Sequence, residues 1–408
     1  MHNFIYIAVM GFSAMLSLLR GFVVAAILPP HLYAIYSSIL GMGGFLGNFI
    51  SFGQVERTVK NFPRLLLGGN EVQVVVDARK IAWVLSYRGV LLSVLSLLIY
   101  WLTGADIMWS VSVAAILSLG SAQIGLLASI QRAQFNLKQL MKGTLLRAGI
   151  SIICVSIAAY HAELNGALFG EWIGAAIGVA VTLWIISQTM NRDASKVILS
   201  ESMQGIEENK GFRLFLTYTI LSVPLYLDRI FLIQLYNEDI VANYSLVALF
   251  LTGSVVLVNI ISQKVGPNLI GMQKSGATAV SLLSYSGKWI GFCCMVWGVI
   301  LICLLAGNEV GLLKYIFPTY NVDIYLILSV GVLGFFQFSS IVEFILIAQD
   351  KESKLLKHAV LFISILITMS FVFSLVRPPL YFFPLSIALV KGLYIVGLVY
   401  ESLVPLEK

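Results

Sequence analysis

The feature that most constrains this chain is the recurrence of apolar stretches about 20 residues long, each sufficient to cross the hydrocarbon core of a bilayer as a helix. They fall near 4–28, 33–53, 81–103, 107–130, 143–161, 165–188, 212–236, 241–262, 287–306, 323–347, 358–376 and 380–401. In lipid every backbone polar group must be satisfied within the span, so such segments fold as helices. The expected fold class is an all-α polytopic membrane protein with about 12 transmembrane helices. Composition agrees. Of 408 residues, 59% are hydrophobic and 11% are charged, against about 25% charged in a soluble domain. A soluble fold has too little polar surface to cover that much apolar area. The first apolar run is full length and lacks a small-residue cleavage pattern, so it reads as a span and not as a signal peptide.

The charges mark the loops. Arg57, Lys60, Arg64, Arg79 and Lys80 follow the second span. Arg132, Lys138 and Lys142 follow the fourth, and Arg192, Lys196, Lys210 and Arg213 the sixth. Lys264 and Lys274, then Lys351, Lys354 and Lys357, follow the eighth and tenth. The opposite loops are short and carry only Lys314 and Arg377. By the positive-inside rule both termini are expected in the cytoplasm. The net charge of +6 is then a topological signal, and nucleic acid is not an expected partner. The inner loops 54–80 and 189–211 are long enough for short amphipathic helices on the membrane surface. No nucleotide-binding loop is present. Cys154, Cys293, Cys294 and Cys303 all lie in apolar stretches and show no metal or redox spacing, so no metal and no cofactor are expected.

The halves of the chain look related. Arg20 precedes Ala34-Ile35-Tyr36-Ser37-Ser38 much as Arg229 precedes Ala242-Asn243-Tyr244-Ser245-Leu246. Ala133-Gln134 through Leu140 and Lys142 matches Ala348-Gln349 through Leu355 and Lys357. A duplication gives six-helix bundles at 1–206 and 207–408. Six spans return the chain to the same side, so the repeat axis lies along the membrane normal. Two pseudo-symmetric bundles around a central cleft are expected.

Ionisable groups inside a bilayer cost about 2.5–3.5 kcal/mol each on insertion scales, so they face a cavity or a partner. The candidates are Arg20, Arg88, Arg147, Arg229 and Lys391, with the acids Asp228 and Glu343. Arg147 and Glu343 lie near cytoplasmic ends, where snorkelling to the interface competes with a functional role. Arg20, Arg229 and Lys391 lie roughly 10–16 Å from the outer ends of their spans and are expected to face a cavity. Ser13, Ser17 and Arg20 form one helical stripe. Ser37, Gly41, Gly44, Asn48 and Ser51 form another, which fits either a close helix seam or a cleft lining.

The seventh span reads Leu221-Ser222-Val223-Pro224-Leu225-Tyr226-Leu227-Asp228-Arg229. Pro224 cannot donate to the carbonyl of Ile220, so a kink is expected there. Asp228 and Arg229 either neutralise one another as a structural pair or serve ion coupling and gating, together with Pro224 and Glu343.

From Pro224 through Asp228-Arg229 to Asn243-Tyr244-Ser245, the chain resembles the multidrug/oligosaccharidyl-lipid/polysaccharide (MOP) flippase superfamily, and within it the Wzx-type O-antigen and capsule-unit flippases. Ala242-Asn243 stands where glycine is common in that family. The stretch from Arg20 through Pro29-Pro30, Tyr33 and Tyr36 to Asn48, Gly53 and Arg57 shares the likeness, as does Phe317-Pro318-Thr319-Tyr320. The resemblance implies a polyprenyl-pyrophosphate-linked oligosaccharide moved across a bacterial plasma (inner) membrane. It implies substrate contacts from Arg20, Arg229, Lys391 and Arg88, coupling to H⁺ or Na⁺, and a polysaccharide polymerase and chain-length proteins as further partners beside the membrane lipids. A cation-coupled multidrug exporter of the same superfamily is the alternative; it calls for an acid-rich cleft, whereas cations outnumber acids at depth here. A membrane-embedded polymerase or glycosyltransferase calls for a large outer loop or an acidic motif, and this chain has neither, so it is not expected to be an enzyme.

Overall fold

The computed structural model describes residues 2–55, 58, 62, 65, 71–133, 137–187 and 208–404. The basic residues Arg57, Lys60, Arg64, Arg192 and Lys196, and most of the 189–211 loop, lie outside them. The described segments form the helices α1 (His2–Ile27), α2 (Pro30–Ser51), α3 (Glu71–Thr103), α4 (Asp106–Ala133), α5 (Leu137–Ser187), α6 (Glu208–Tyr226) and α7 (Asp228–Leu235). These are followed by α8 (Glu238–Lys274), α9 (Ala279–Glu309), α10 (Leu312–Ile316), α11 (Ile324–Phe336), α12 (Ser339–Ala348), α13 (Glu352–Val376) and α14 (Phe382–Leu403).

Ten helical stretches are long and apolar enough to span a membrane, with α6 and α7 together as a further, broken span. One of the ten, Lys138–Ile185, has 48 residues, about 72 Å at 1.5 Å per residue and more than twice the hydrocarbon thickness. It is a hairpin. Ala162 and Glu163 leave helical geometry, Glu163 at φ 46° and ψ −127°. Beyond that reversal the second arm packs back on the first through glycines at every fourth position. A Cβ on Gly166 would lie 1.9 Å from the Ala158 carbonyl oxygen, and one on Gly170 2.7 Å from Val155 Cα. Gly174 meets Ser151, and Gly178 meets the stem of Arg147. Pairing of rising with falling numbers is antiparallel contact, and only residues without side chains permit backbones that close. Counting both arms, the described residues supply twelve spans, at the places the apolar runs predict.

The helices pack as two units, Met1–Leu28 with Ile35–Leu227, and Pro29–Ala34 with Asp228–Lys408. In the first, α3 packs on α4, and α5 on α1 and α4. Leu85, Leu126, Ile50, Phe62 and Val74 make a core there in which each is at most 2% exposed. The inner loop is thus partly built into the fold, and residues 71–80 run straight into the third span as helix. Along the second-span stripe, a Cβ on Gly44 would lie 2.6 Å from the Tyr226 ring, and Asn48 donates to Ser222 Oγ at 3.0 Å. Gly44 and Asn48 of that stripe thus meet α6. In the second unit α8 packs on α12 and α11, and α14 on α13, α11 and α12. The turn after α12 closes over the end of α14: Gln349 Nε2 donates to Ser402 O at 3.1 Å, and Lys351 Nζ donates to the carbonyls of Glu401 at 2.8 Å and Val404 at 2.6 Å. Orphan carbonyls at a helix C-terminus are satisfied in this way by a cation. Burial in this turn holds the Lys351 ammonium below the ordinary lysine pKa.

Candidate functional site

Each unit contains a buried carboxylate held by a tyrosine beside an arginine. In the first unit Arg20 Nη1 lies 2.7 Å from Glu171 Oε2. The other oxygen, Oε1, accepts from the Tyr36 hydroxyl at 2.6 Å. Three elements bring these groups together: α1, α2 and the second arm of α5. Ser13 and Arg20 of the α1 stripe face α5, with Ser13 Oγ donating to Thr144 O at 3.1 Å, whereas Ser17 is exposed and donates to Ser13 O within α1. The ion pair is uneven. Arg20 is 26% exposed at its side chain and Glu171 8%, and Arg20 Nε has no hydrogen-bond partner. Arg147, on the first arm of α5, is near enough for its charge and that of Arg20 to repel.

The chain breaks at Leu227, three residues past Pro224, and Asp228 begins both α7 and the second stretch of the second unit. The Leu227 N–H still reaches Val223 O at 2.9 Å, so the interruption comes after the proline and not at it. Asp228 opens the new helix, and its Oδ1 accepts from the adjacent Arg229 N–H at 2.8 Å. Its Oδ2 accepts from the Tyr244 hydroxyl at 2.5 Å. Asp228 is 4% exposed and Tyr244 0%. The Arg229 charge acts on Asp228, Tyr244 and Tyr33, while its Nε has no hydrogen-bond partner. Asp228 and Arg229 are therefore not a side-chain ion pair turned on itself; the carboxylate is bound by Tyr244 and backbone, and the guanidinium fork keeps donor capacity.

Lys391 and Glu343 form a second cluster in this unit. The tenth span runs through a two-residue turn at Gln337 and Phe338, between α11 and α12, where the backbone stays in right-handed helical geometry (φ −65°, ψ −21° and φ −70°, ψ −2°), so Ile324–Ala348 crosses as one span. Lys391 Nζ donates to Gln337 Oε1, and Glu343 Oε1 accepts from the Tyr394 hydroxyl at 3.4 Å. Lys391, Gln337 and Glu343 are 8%, 4% and 4% exposed, and Gln337 Nε2 has no partner. Glu343 thus sits in a buried polar cluster and does not snorkel. Arg88 is placed differently. Its guanidinium lies 5.3 Å over the Phe52 ring and 3.4 Å from the Ile50 carbonyl at the end of α2, which is a capping arrangement.

Glu171 meets the same criterion of depth as the other ionisable residues but is not among those the sequence reading singles out. It stands alone in the apolar run 165–188, and that isolation is the signal. Counting it, and leaving aside residues at the span ends such as Arg213, Lys288, Asp323 and Glu401, the spans hold five cations and three acids, Arg20, Arg88, Arg147, Arg229 and Lys391 against Asp228, Glu343 and Glu171. Tyr36, Tyr244, Tyr394 and Gln337 carry no such signal, since aromatic and amide residues are ordinary in spans. Among the described residues no group of three or more His, Cys, Asp or Glu is arranged to hold a metal.

No family model and no curated protein matches the chain. Solved structures do. An inward-facing multidrug resistance MATE family transporter of the MOP superfamily superposes with a TM-score of 0.67 at 14% identity, covering 96% of this chain and 93% of that one. An outward-facing MATE transporter gives 0.65 at 13% identity, with 97% and 94% covered. A MOP superfamily transporter from Pyrococcus furiosus, described as having a binding pocket of reversed polarity that suggests a different function, gives 0.54 at 12% identity, with 97% and 94% covered. Over nearly its whole length, then, this all-α membrane chain shares the fold of MOP superfamily transporters.

Proposed function

We propose that the chain is a flippase that carries a polyprenyl-pyrophosphate-linked oligosaccharide across the bacterial plasma membrane by alternating access of two six-helix bundles, driven by H⁺ or Na⁺. One observation carries the choice of an anionic substrate: five cations against three acids away from the span ends, with Arg20 and Arg229 each keeping an unpartnered Nε. Guanidinium forks bind phosphate oxygens in pairs, and a pyrophosphate offers several. The sugars exchange water for polar groups while the lipid tail stays in the bilayer. The P. furiosus structure, with its reversed pocket polarity, is a precedent for one fold taking ligands of different charge. A multidrug exporter is compatible with the fold, but a cationic drug gains nothing from an excess of arginine.

Coupling follows from the seventh span. Substrate phosphate drawn to Arg229 weakens its hold on Asp228, which then takes a proton or Na⁺ with Tyr244 still bound. The break at Leu227 lets the two halves of the span move separately, and the ion drives the cycle because it binds the two states with different affinity. The test is complementation of a flippase-null bacterium, scoring surface polysaccharide with protein level measured in parallel. Asp228→Asn and Arg229→Ala should each abolish most surface polysaccharide at normal protein level. Full activity of both would reduce the pair to a structural feature, and drug resistance without polysaccharide would favour the exporter.

A further inference from the structure

Resting on that reading, we propose that Glu171 is an internal anion that occupies Arg20 until the pyrophosphate of the substrate replaces it, and that the displaced carboxylate then accepts one proton from water. The Arg20–Glu171 contact is exchanged for an Arg20–phosphate contact, and Glu171 leaves as a neutral acid still hydrogen-bonded to Tyr36. One substrate bound at Arg20 is thereby linked to one proton taken up.

The geometry distinguishes this pair from a purely structural one. A structural Arg–carboxylate pair closes fork to fork, with two parallel bonds. Here one nitrogen meets one oxygen, and the second oxygen is held by Tyr36. Arg20 retains an unpartnered Nε, and its side chain is about three times as exposed as that of Glu171, 26% against 8%. The Arg20 side chain is thus partly exposed while its Nε is buried without a partner. A single-point contact to a carboxylate is weaker than the bidentate contact that a phosphate makes with the same fork, so a pyrophosphate can displace it. Arg147 adds a second positive charge near Arg20, which favours an anion of higher charge than one carboxylate. The proton has a defined place to go. Once Arg20 is engaged elsewhere, Glu171 is buried with only a hydroxyl donor, and a buried carboxylate without its cation becomes neutral.

The ionisable groups around Glu171 are Arg20 from α1, Tyr36 from α2 and, through Arg20, Arg147 from the first arm of α5. Among the neighbouring helices α4 places its ionisable residues, Asp106 and Arg132, at its two ends.

The experiment measures binding of farnesyl pyrophosphate to the purified full-length protein in detergent at pH 8 and pH 5.5, for wild type, Glu171→Gln, Tyr36→Phe and Arg20→Ala. Glu171→Gln removes the competing charge and should bind about tenfold more tightly than wild type at pH 8, and the gap should narrow at pH 5.5, because binding that displaces Glu171 takes up a proton. The ligand's own titration is common to both proteins and cancels in that comparison. Tyr36→Phe removes one hydroxyl that stabilises the carboxylate, so it should tighten binding several-fold at pH 8, and it covers the case in which Glu171→Gln fails to fold. Arg20→Ala should weaken binding and erase the difference made by Glu171→Gln in the double variant. Equal affinity of wild type, Glu171→Gln and Tyr36→Phe at both pH values, with Arg20→Ala still weakened, would overturn the competition and leave the flippase reading standing. No measurable binding by any of the four would overturn both.

Discussion

Tyr36 and Tyr244 occupy the same place in the two sequence repeats, and each donates its hydroxyl proton to a buried carboxylate, Glu171 at 2.6 Å and Asp228 at 2.5 Å. The carboxylates themselves are not equivalent. Glu171 comes from the sixth span and reaches across to Arg20, whereas Asp228 precedes Arg229 in the same helix. A shared tyrosine with relocated acids implies that the carboxylate–hydroxyl contact is the constrained feature. Tyr244→Phe should then resemble Asp228→Asn more than it resembles a neutral change. Removing a hydroxyl that binds a buried carboxylate costs about 1–3 kcal/mol, so surface polysaccharide in the complementation assay should fall at least several-fold at unchanged protein level. Wild-type activity of Tyr244→Phe would show the hydroxyl to be incidental.

Arg229→Lys tests whether fork geometry or charge alone is required. Lysine keeps the charge and loses the planar donor set. Transport should fall between that of wild type and Arg229→Ala. Loss equal to Arg229→Ala would place all of the requirement on bidentate contact, and full retention would place it on charge.

The fold was largely legible in the sequence because lipid makes the code simple: length, apolarity and loop charge suffice to place twelve spans and the turn at 162–163. The site was legible in part. Arg20, Arg229, Asp228 and Lys391 stand out because ionised groups are rare at depth. The two-residue turn at Gln337 and Phe338 was not legible, since its backbone stays near helical geometry and the apolar run continues through it. The roles of Tyr36 and Tyr244 were hidden as well, because a tyrosine in a span is as compatible with apolar packing as with a hydrogen bond. Arg88 shows the converse: depth alone made it a candidate, and only its contacts with Phe52 and Ile50 O reveal a cap.

The glycine ladder of α5 predicts a graded response. A methyl at Gly170 would approach Val155 Cα to 2.7 Å, whereas at Gly149 it would meet nothing within 4 Å. Overpacking of this kind costs about 1–3 kcal/mol. Gly170→Ala should lower the thermal midpoint of the detergent-purified protein measurably, and Gly149→Ala should leave it unchanged or raise it through helix propensity. Equal midpoints for the two would argue against the close antiparallel hairpin.

Lys351 offers a test of the α14 cap. Its ammonium satisfies two carbonyls at the helix end, at 2.8 and 2.6 Å. Lys351→Met keeps much of the stem and leaves both carbonyls to water. Destabilisation of about 1–3 kcal/mol is expected, read as a lower thermal midpoint and as faster proteolysis of the C-terminal segment. A variant with wild-type protection of that segment would show the cap to be dispensable.

The Lys391–Gln337–Glu343 cluster allows a double-variant test of whether its charges depend on one another. Lys391 bonds the Gln337 amide oxygen and not the Glu343 carboxylate, yet the two charges act on each other. Removing either charge alone leaves the other buried without compensation, which is the costly case, while removing both can be close to neutral. Lys391→Met and Glu343→Gln should therefore each lower the thermal midpoint, and the double variant should recover a substantial part of the loss. Because Gln337 also loses its partner in Lys391→Met, the recovery should be incomplete. Strict additivity of the two losses would mean that Glu343 and Lys391 are independent. In that case Glu343 is held by Tyr394 and Ser339, and its part in coupling would have to be sought apart from the lysine.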